Sequence, residues 1–323
     1  MQRRDFLKIS AVAGAVLAGS GIAGRRWFSG RPVPVRETRL LMGTVLNLTM
    51  LAPSQAEGQQ AIEVTLDEMT RLVGIFDHRK PTTALGQLNA AGRLERAPGE
   101  LLGVLASAIR YGGLTGGAFD VTIKPVLDAI AAGRRPTKEK SLVDYRRIQI
   151  DGWSVQLGAN GMAVTLDGIA KGYIVDKAVD VLESNGYVNV LVEAGGDLRG
   201  LGSAPDRPWR VGVQDPRTAG DPEVLTAFDL GSAAATSGDY QNAFTTDRSA
   251  FHIIDPGSAA SPGELASATV LAPLAADADA LSTSLMVLGV ERGLRLIEQL
   301  PGVEALVVTK DKLIRRTGGF PVA

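Results

Sequence analysis

Cysteine is missing from this 323-residue chain. That absence removes disulfides, iron–sulfur clusters, thiolate zinc sites and cysteine nucleophiles together, and it leaves the redox compartment open. Histidine is nearly missing as well. His78 and His252 are the only two, so one chain cannot supply a three-histidine zinc site. Neither sign of charge is in excess: 34 Lys and Arg stand against 35 Asp and Glu, for a net charge of −1. With no basic stripe, nucleic acid is not the expected partner. Three signatures are also lacking: the G-x-x-x-x-G-K-[ST] loop, a G-x-G-x-x-G run opening a helix after a strand, and the G-x-S-x-G elbow. Their absence argues against a P-loop kinase, a Rossmann dehydrogenase and an α/β-hydrolase.

What is present is a globular composition, 45% hydrophobic and 21% charged, with 38 glycines in short clusters. The length suits one large domain or two closely packed ones. The start, Met1-Gln2-Arg3-Arg4-Asp5-Phe6-Leu7-Lys8, carries charge ahead of an uncharged, Gly/Ala-rich stretch from Ile9 to Gly24. That stretch falls short of the roughly 18 apolar residues of a membrane span and reads as a signal peptide. Arg3-Arg4 followed by Phe6-Leu7-Lys8 resembles the twin-arginine export signal. Residues 1–30 are therefore set apart as an export segment, and 31–323 are read as a single domain in the periplasm. Contact with a membrane is expected only through the signal, in transit or retained as an anchor.

Periodicity predicts a strand over 39–51 interrupted by Gly43-Thr44, and an amphipathic helix over 55–76 carrying Ile62, Leu66, Met69 and Val73. A loop with Pro81 follows, then a helix over 100–114. Two or three short strands are expected over 146–166. Asp167 stands as the N-cap of a helix reaching about Asn185. Further strands are expected at 188–193, 209–213, 225–230, 252–254, 269–271 and 304–309, with helices at 276–288 and 291–298. Strands and helices mix without regular alternation, which predicts an α+β fold with a largely antiparallel sheet.

Four segments carry candidate chemistry. Gly116-Gly117-Ala118-Phe119-Asp120 sets two glycines before a ring and a carboxylate, suited to cradling a flat ligand or to turning into a buried strand. Asp167-Gly168-Ile169-Ala170-Lys171-Gly172-Tyr173 puts a lysine at a helix N-terminus, a natural anion site or an ordinary capped helix. Ser237-Gly238-Asp239-Tyr240 and His252-Ile253-Ile254-Asp255-Pro256 supply a histidine that is either structural or catalytic. Asp279 and Thr283 lie four apart on one helix face, where two hard oxygens suit magnesium. The threonine could instead bond back to a helical carbonyl.

Taken together and in order, these segments resemble the ApbE family of FAD:protein FMN transferases, from Met42-Gly43-Thr44 to Gly289. The resemblance implies a two-layer, T-fold-like α+β core with a smaller added subdomain. It implies FAD contacts at Met42, Ala118, Phe119, Asp120, Asp167, Lys171, Tyr173 and Ile253. It implies magnesium ligands at the Ala170 carbonyl, Asp279 and Thr283, and a required histidine at His252. Asp255 or Asp239 would orient that histidine. FMN would pass from FAD to a Thr or Ser hydroxyl of an acceptor protein, with AMP released. The implied acceptors are FMN-binding domains of periplasm-facing electron-transfer proteins, such as sodium-pumping or Rnf-type oxidoreductases or the flavoprotein supporting nitrous oxide reductase. Two alternatives share the site: an FAD pyrophosphatase, and a non-enzymatic FAD-binding assembly factor. The chain departs from the family pattern at Asp77, where a serine is usual, and at Gly257 to Pro262.

Overall fold

A computed structural model describes residues 31–218 and 223–321; the export segment lies outside them. The chain opens with a hairpin, β1 (Val33–Leu41) and β2 (Thr44–Ala52), in full antiparallel register. The interrupted strand expected over 39–51 is therefore two strands. Met42 and Gly43 both take left-handed φ, 55° and 74°, as a tight two-residue hairpin turn requires.

Helix α1 (Gln55–Phe76) starts at Ser54, whose hydroxyl accepts the Glu57 N–H. The remaining elements are α2 (Ala84–Ala91), β3 (Arg93–Leu94), α3 (Gly99–Leu114), α4 (Lys124–Ala131), β4 (Ile148–Asp151), β5 (Ser154–Leu157) and α5 (Ala170–Ser184). Then come β6 (Val190–Ala194), β7 (Asp197–Leu201), β8 (Arg210–Gln214), β9 (Val224–Asp229), β10 (Ala233–Gly238), β11 (Leu265–Ala272), α6 (Ala275–Ile297), β12 (Glu304–Thr309) and β13 (Ile314–Arg316). Helices α2 and α4 were not expected; at eight residues each they are too short to show a full period. Strand β10 was also missed. Its Ala-Ala-Ala-Thr-Ser-Gly sequence has poor strand propensity, and its place between β7 and β11 overrides that. The two helices expected over 276–288 and 291–298 are both present within α6, separated at Gly289, where φ is 77° and ψ is −172°.

The main sheet has eight strands in the order β1-β2-β6-β7-β10-β11-β12-β13, and every pairing is antiparallel. Helices α1, α5 and α6 pack on one face. Alternation along the strands sorts side chains between two cores. Ala305 and Val307 of β12 face the helices, while Leu306 and Val308 face a second cluster under Trp209, Phe228 and Phe320. The β8–β9 hairpin supplies part of that second layer. A smaller unit, holding α2 to α4 and the β3-β5-β4 sheet, is joined to the same helix-side core through Leu101, Leu105 and Val155. This is the expected α+β architecture with antiparallel sheets.

Helices α5 and α6 meet most closely at Gly172, where an added Cβ would run into the Ala275 carbonyl. Gly172→Ala is expected to destabilise the protein by about 1–3 kcal/mol through overpacking, despite alanine's better helix propensity. Urea unfolding of the variant against the parent checks this.

Candidate active site

The site grows from the loop that precedes α5. Thr165 N–H donates to the Val121 carbonyl, and the Ile169 and Ala170 N–H groups donate to the Leu166 carbonyl, so the loop folds tightly over residues 165–170. A Cβ on Gly168 would sit 3.1 Å from Thr283 Oγ1 and 3.3 Å from the Phe119 ring. The absence of that Cβ lets the loop lie against both. Asp167 does not cap α5: Ile169 occupies the N-cap position, without a side-chain bond. The Asp167 carboxylate turns outward instead, to His78 and Arg79, each 3.1 Å from Oδ2. Burial works against its charge, but His78 and Arg79 outweigh burial and hold its pKa at about 2.

Two carboxylates tie α5 to α6. Asp176 on α5 accepts the Ala275 and Ala276 N–H groups, each at 2.9 Å, and so caps α6 from outside. Burial pushes Asp176 up to about 6 in spite of those bonds. In the other direction, Asp279 on α6 accepts the Gly172 N–H of α5's first turn at 3.1 Å. Asp279 is 4% exposed. One turn later, Thr283 Oγ1 lies 3.3 Å from Ser237 Oγ, which also bonds Ser282 at 2.8 Å.

Lys171 reaches back across this junction and ion-pairs with Asp197, which is 1% exposed and starts β7. Asp197 lies beside Asp279, and burial together with the Asp279 charge pushes it well above the usual carboxylate range. Asp279 is likewise raised by burial. Burial opposes the charge on Lys171, but Asp197 and Asp279 outweigh it and hold the ammonium above its ordinary value. Asp197 was not among the site residues expected from the sequence. The positive φ of Gly195 and Gly196, 56° and 95°, bends the chain so that its carboxylate enters the site.

His252 does not lie in a strand; isolated bridges at Phe251 and Asp255 flank it. Its Nδ1 is 2.9 Å from the Gln241 carbonyl. A carbonyl only accepts, so Nδ1 carries the proton and Nε2 is left as the basic nitrogen. Burial lowers the His252 pKa from its ordinary value, although the Gln241 carbonyl and the Asp167 charge pull the other way. Neither carboxylate expected to orient the ring bonds it. Asp255 accepts the Gly257 and Ser258 N–H groups of its own turn. Asp239 is gripped by Arg217 at 2.8 and 2.7 Å.

The other expected flavin contacts fall into two groups. Met42 is half-buried at the tip of the β1–β2 hairpin, and Tyr173 is half-buried with its ring edge-on to Phe76 at 5.6 Å. Phe119 and Ile253 are buried. Ala118 stays partly accessible in the glycine turn. Asp120 is turned to structural use: its carboxylate accepts from Thr122 N, Thr122 Oγ1 and Tyr145 N at 2.9, 2.6 and 2.9 Å.

Asp279 accepts from the first turn of α5 and Thr283 Oγ1 lies against Gly168, so with the Ala170 carbonyl the region offers hard oxygens of the kind magnesium takes. Among the described residues there is no group of three His, Asp or Glu arranged around a metal position. A set of one carbonyl, one carboxylate and one hydroxyl needs none. Among the described residues, His78 Nδ1 is a buried side-chain nitrogen without a hydrogen-bond partner, while Asp197 Oδ2 is the oxygen ion-paired with Lys171.

Comparison with known proteins gives this site a family. Residues 42–307 match the family model described as the ApbE family. The chain belongs to the ApbE family. It is 32% identical to the FAD:protein FMN transferase of Vibrio cholerae, over 84% of this chain and 86% of that one. It is 28% identical to the FAD:protein FMN transferase of Treponema pallidum, over 94% and 92% of the two chains. The crystal structure of the ApbE protein from Thermotoga maritima superposes with a TM-score of 0.78 at 28% identity, covering 89% of this chain and 97% of that one. Residues 1–20 match the twin-arginine translocation signal, so this ApbE protein is addressed to the periplasm.

Removing the site's own cation tests its electrostatics. Lys171→Met leaves Asp197 and Asp279 buried without their countercharge and is expected to cost about 3 kcal/mol in the presence of chelator. Thermal unfolding with EDTA measures the loss.

Proposed function

We propose that this chain transfers FMN from FAD to a threonine or serine hydroxyl of an acceptor flavoprotein, forming a phosphoester and releasing AMP with the help of magnesium. The observation that carries the reading is His252. Its Nδ1 is committed to the Gln241 carbonyl, and burial lowers its pKa while the Asp167 charge raises it and the Lys171 charge lowers it. An imidazole whose Nε2 is left as the basic nitrogen, with Lys171 supplying positive charge, is the pairing that hydroxyl-to-phosphorus transfer needs.

In this reading the acceptor hydroxyl attacks the phosphorus on the flavin side of the pyrophosphate. The new P–O bond forms as the bond to the bridging oxygen breaks, and AMP leaves with that oxygen. His252 Nε2 takes the hydroxyl proton. Lys171, in the first turn of α5, supplies positive charge toward the pyrophosphate oxygens. Magnesium held by the Ala170 carbonyl, Asp279 and Thr283 would neutralise part of that charge as a Lewis acid. Met42, Phe119 and Tyr173 offer apolar surface to the flavin ring. The acceptor is an FMN-binding domain of a periplasm-facing electron-transfer protein.

The test is mass spectrometry of a candidate acceptor domain after incubation with the protein, FAD and magnesium. An FMN adduct on Thr or Ser, lost when EDTA is added, is the expected result. Release of AMP and free FMN without an adduct would replace the transferase with a pyrophosphatase. Uncleaved FAD bound in a fixed ratio would leave only a carrier.

His252→Gln is expected to lower the transfer rate by about a hundredfold or more. The imidazole works as a base only when neutral, and burial lowers its pKa, so the parent's rate should fall on the acid side with a midpoint below pH 6.5. A rate profile from pH 5 to 8 checks the sign. A midpoint above 6.5 would remove His252 as the base.

A further inference from the structure

The carboxylate of Asp167 is gripped by a part of the chain that the reaction has not yet used. His78 Nε2 and Arg79 Nη2 both bond the same oxygen, Asp167 Oδ2, from 89 and 88 residues away. They sit on the turn that joins α1 to α2. That turn is itself fixed. Asp77 closes α1, its N–H donating to the Val73 carbonyl, and its carboxylate accepts the Arg79 N–H at 3.1 Å. The Thr83 hydroxyl donates to the Asp77 and Lys80 carbonyls at 2.8 and 2.9 Å and accepts the Gly86 N–H at 3.0 Å. Gly86 has no side chain where a Cβ would meet the Lys80 carbonyl, so α2 lies directly on the turn. The two donors are thus positioned before any ligand arrives.

We propose that His78 and Arg79 are positioning residues for flavin-nucleotide binding: they fix the Asp167 carboxylate so that its exposed side accepts a hydrogen bond from an N–H or O–H of FAD. The proposal rests on the transferase reading above.

Three observations support it. The clamp occupies Oδ2, yet 48% of the Asp167 side chain remains exposed, so the carboxylate is held and still reachable. His78 is only 11% exposed, and its second nitrogen, Nδ1, is buried without a partner. A buried unpaired nitrogen is a cost, and a half-exposed ion pair returns little stability, so stability alone does not account for the arrangement. Finally, the clamp holds the Asp167 pKa at about 2, so near neutral pH the carboxylate is ionised and only accepts.

Four variants test the proposal: His78→Ala, His78→Phe, His78→Gln and Arg79→Met. Equilibrium FAD binding is followed by quenching of flavin fluorescence, and single-turnover transfer is measured at saturating FAD. His78→Ala, His78→Phe and Arg79→Met are expected to raise the FAD Kd about tenfold, the effect of losing one charge-assisted hydrogen bond. The saturated transfer rate should change far less. His78→Gln, whose amide nitrogen reaches the Nε2 position, should bind FAD within about twofold of the parent. Arg79 lies at the surface, so its variant remains informative should a His78 variant fail to fold. Unchanged Kd in the three loss variants, with a parent that binds and transfers normally, overturns the clamp alone. Binding by His78→Gln as poor as by His78→Phe does the same, because a packing role would ignore the amide. A parent that neither binds nor cleaves FAD removes the transferase reading and the clamp with it.

Discussion

Two buried carboxylates, exchanged between two helix starts, hold this site together. Asp176 on α5 caps α6, and Asp279 on α6 accepts the Gly172 N–H of α5. Helix starts carry partial positive charge and unpaired N–H groups, so each carboxylate satisfies a need of the opposite helix. Leu274, at the N-cap of α6, has no side-chain oxygen with which to cap its own helix. The exchange works only because Gly172 lets the backbones approach. It brings Asp279 against the first turn of α5, and with it Lys171.

The charge at that place is unbalanced. Asp197 and Asp279 bring two acids, and Lys171 brings one base. Burial raises both acids above their usual range, so each holds a proton more tightly than a free carboxylate does. The same low-dielectric surroundings that make the carboxylates costly would strengthen their attraction for a cation or for the ammonium beside them. His252 stands apart from this trio by chemistry. Its ring is kept neutral by burial and held in one tautomer by a backbone carbonyl rather than by an acid.

Much of this was legible from residue order. Helix α1 was expected over 55–76 and is found there, because a 22-residue amphipathic run gives six turns of signal. That Asp279 and Thr283 share one face of a helix followed from their spacing of four. Other features had no local signal. Asp167 looked like an N-cap because Asp before a helix usually is one, and only tertiary contact from the α1–α2 turn draws it away. Asp197, His78 and Arg79 are functional candidates by position in space, and nothing in their neighbours in sequence marks them. Strand β10 reads as a small-residue loop until its two partners are known. The Gln241 carbonyl could not have been found, since backbone groups carry no residue identity.

The sheet order interleaves early strands with late ones: β2 lies beside β6, and β7 lies beside β10. The residues that meet at the site run from His78 to Thr283, so several long loops must close before any of it exists, and such closures are slow. A nascent chain that stops short of α6 has no site at all. A channel that threads chains through as extended polymer would defer every closure to the far side of the membrane. The twin-arginine route accepts cargo that is already folded, so the slow assembly can finish where the chain is made.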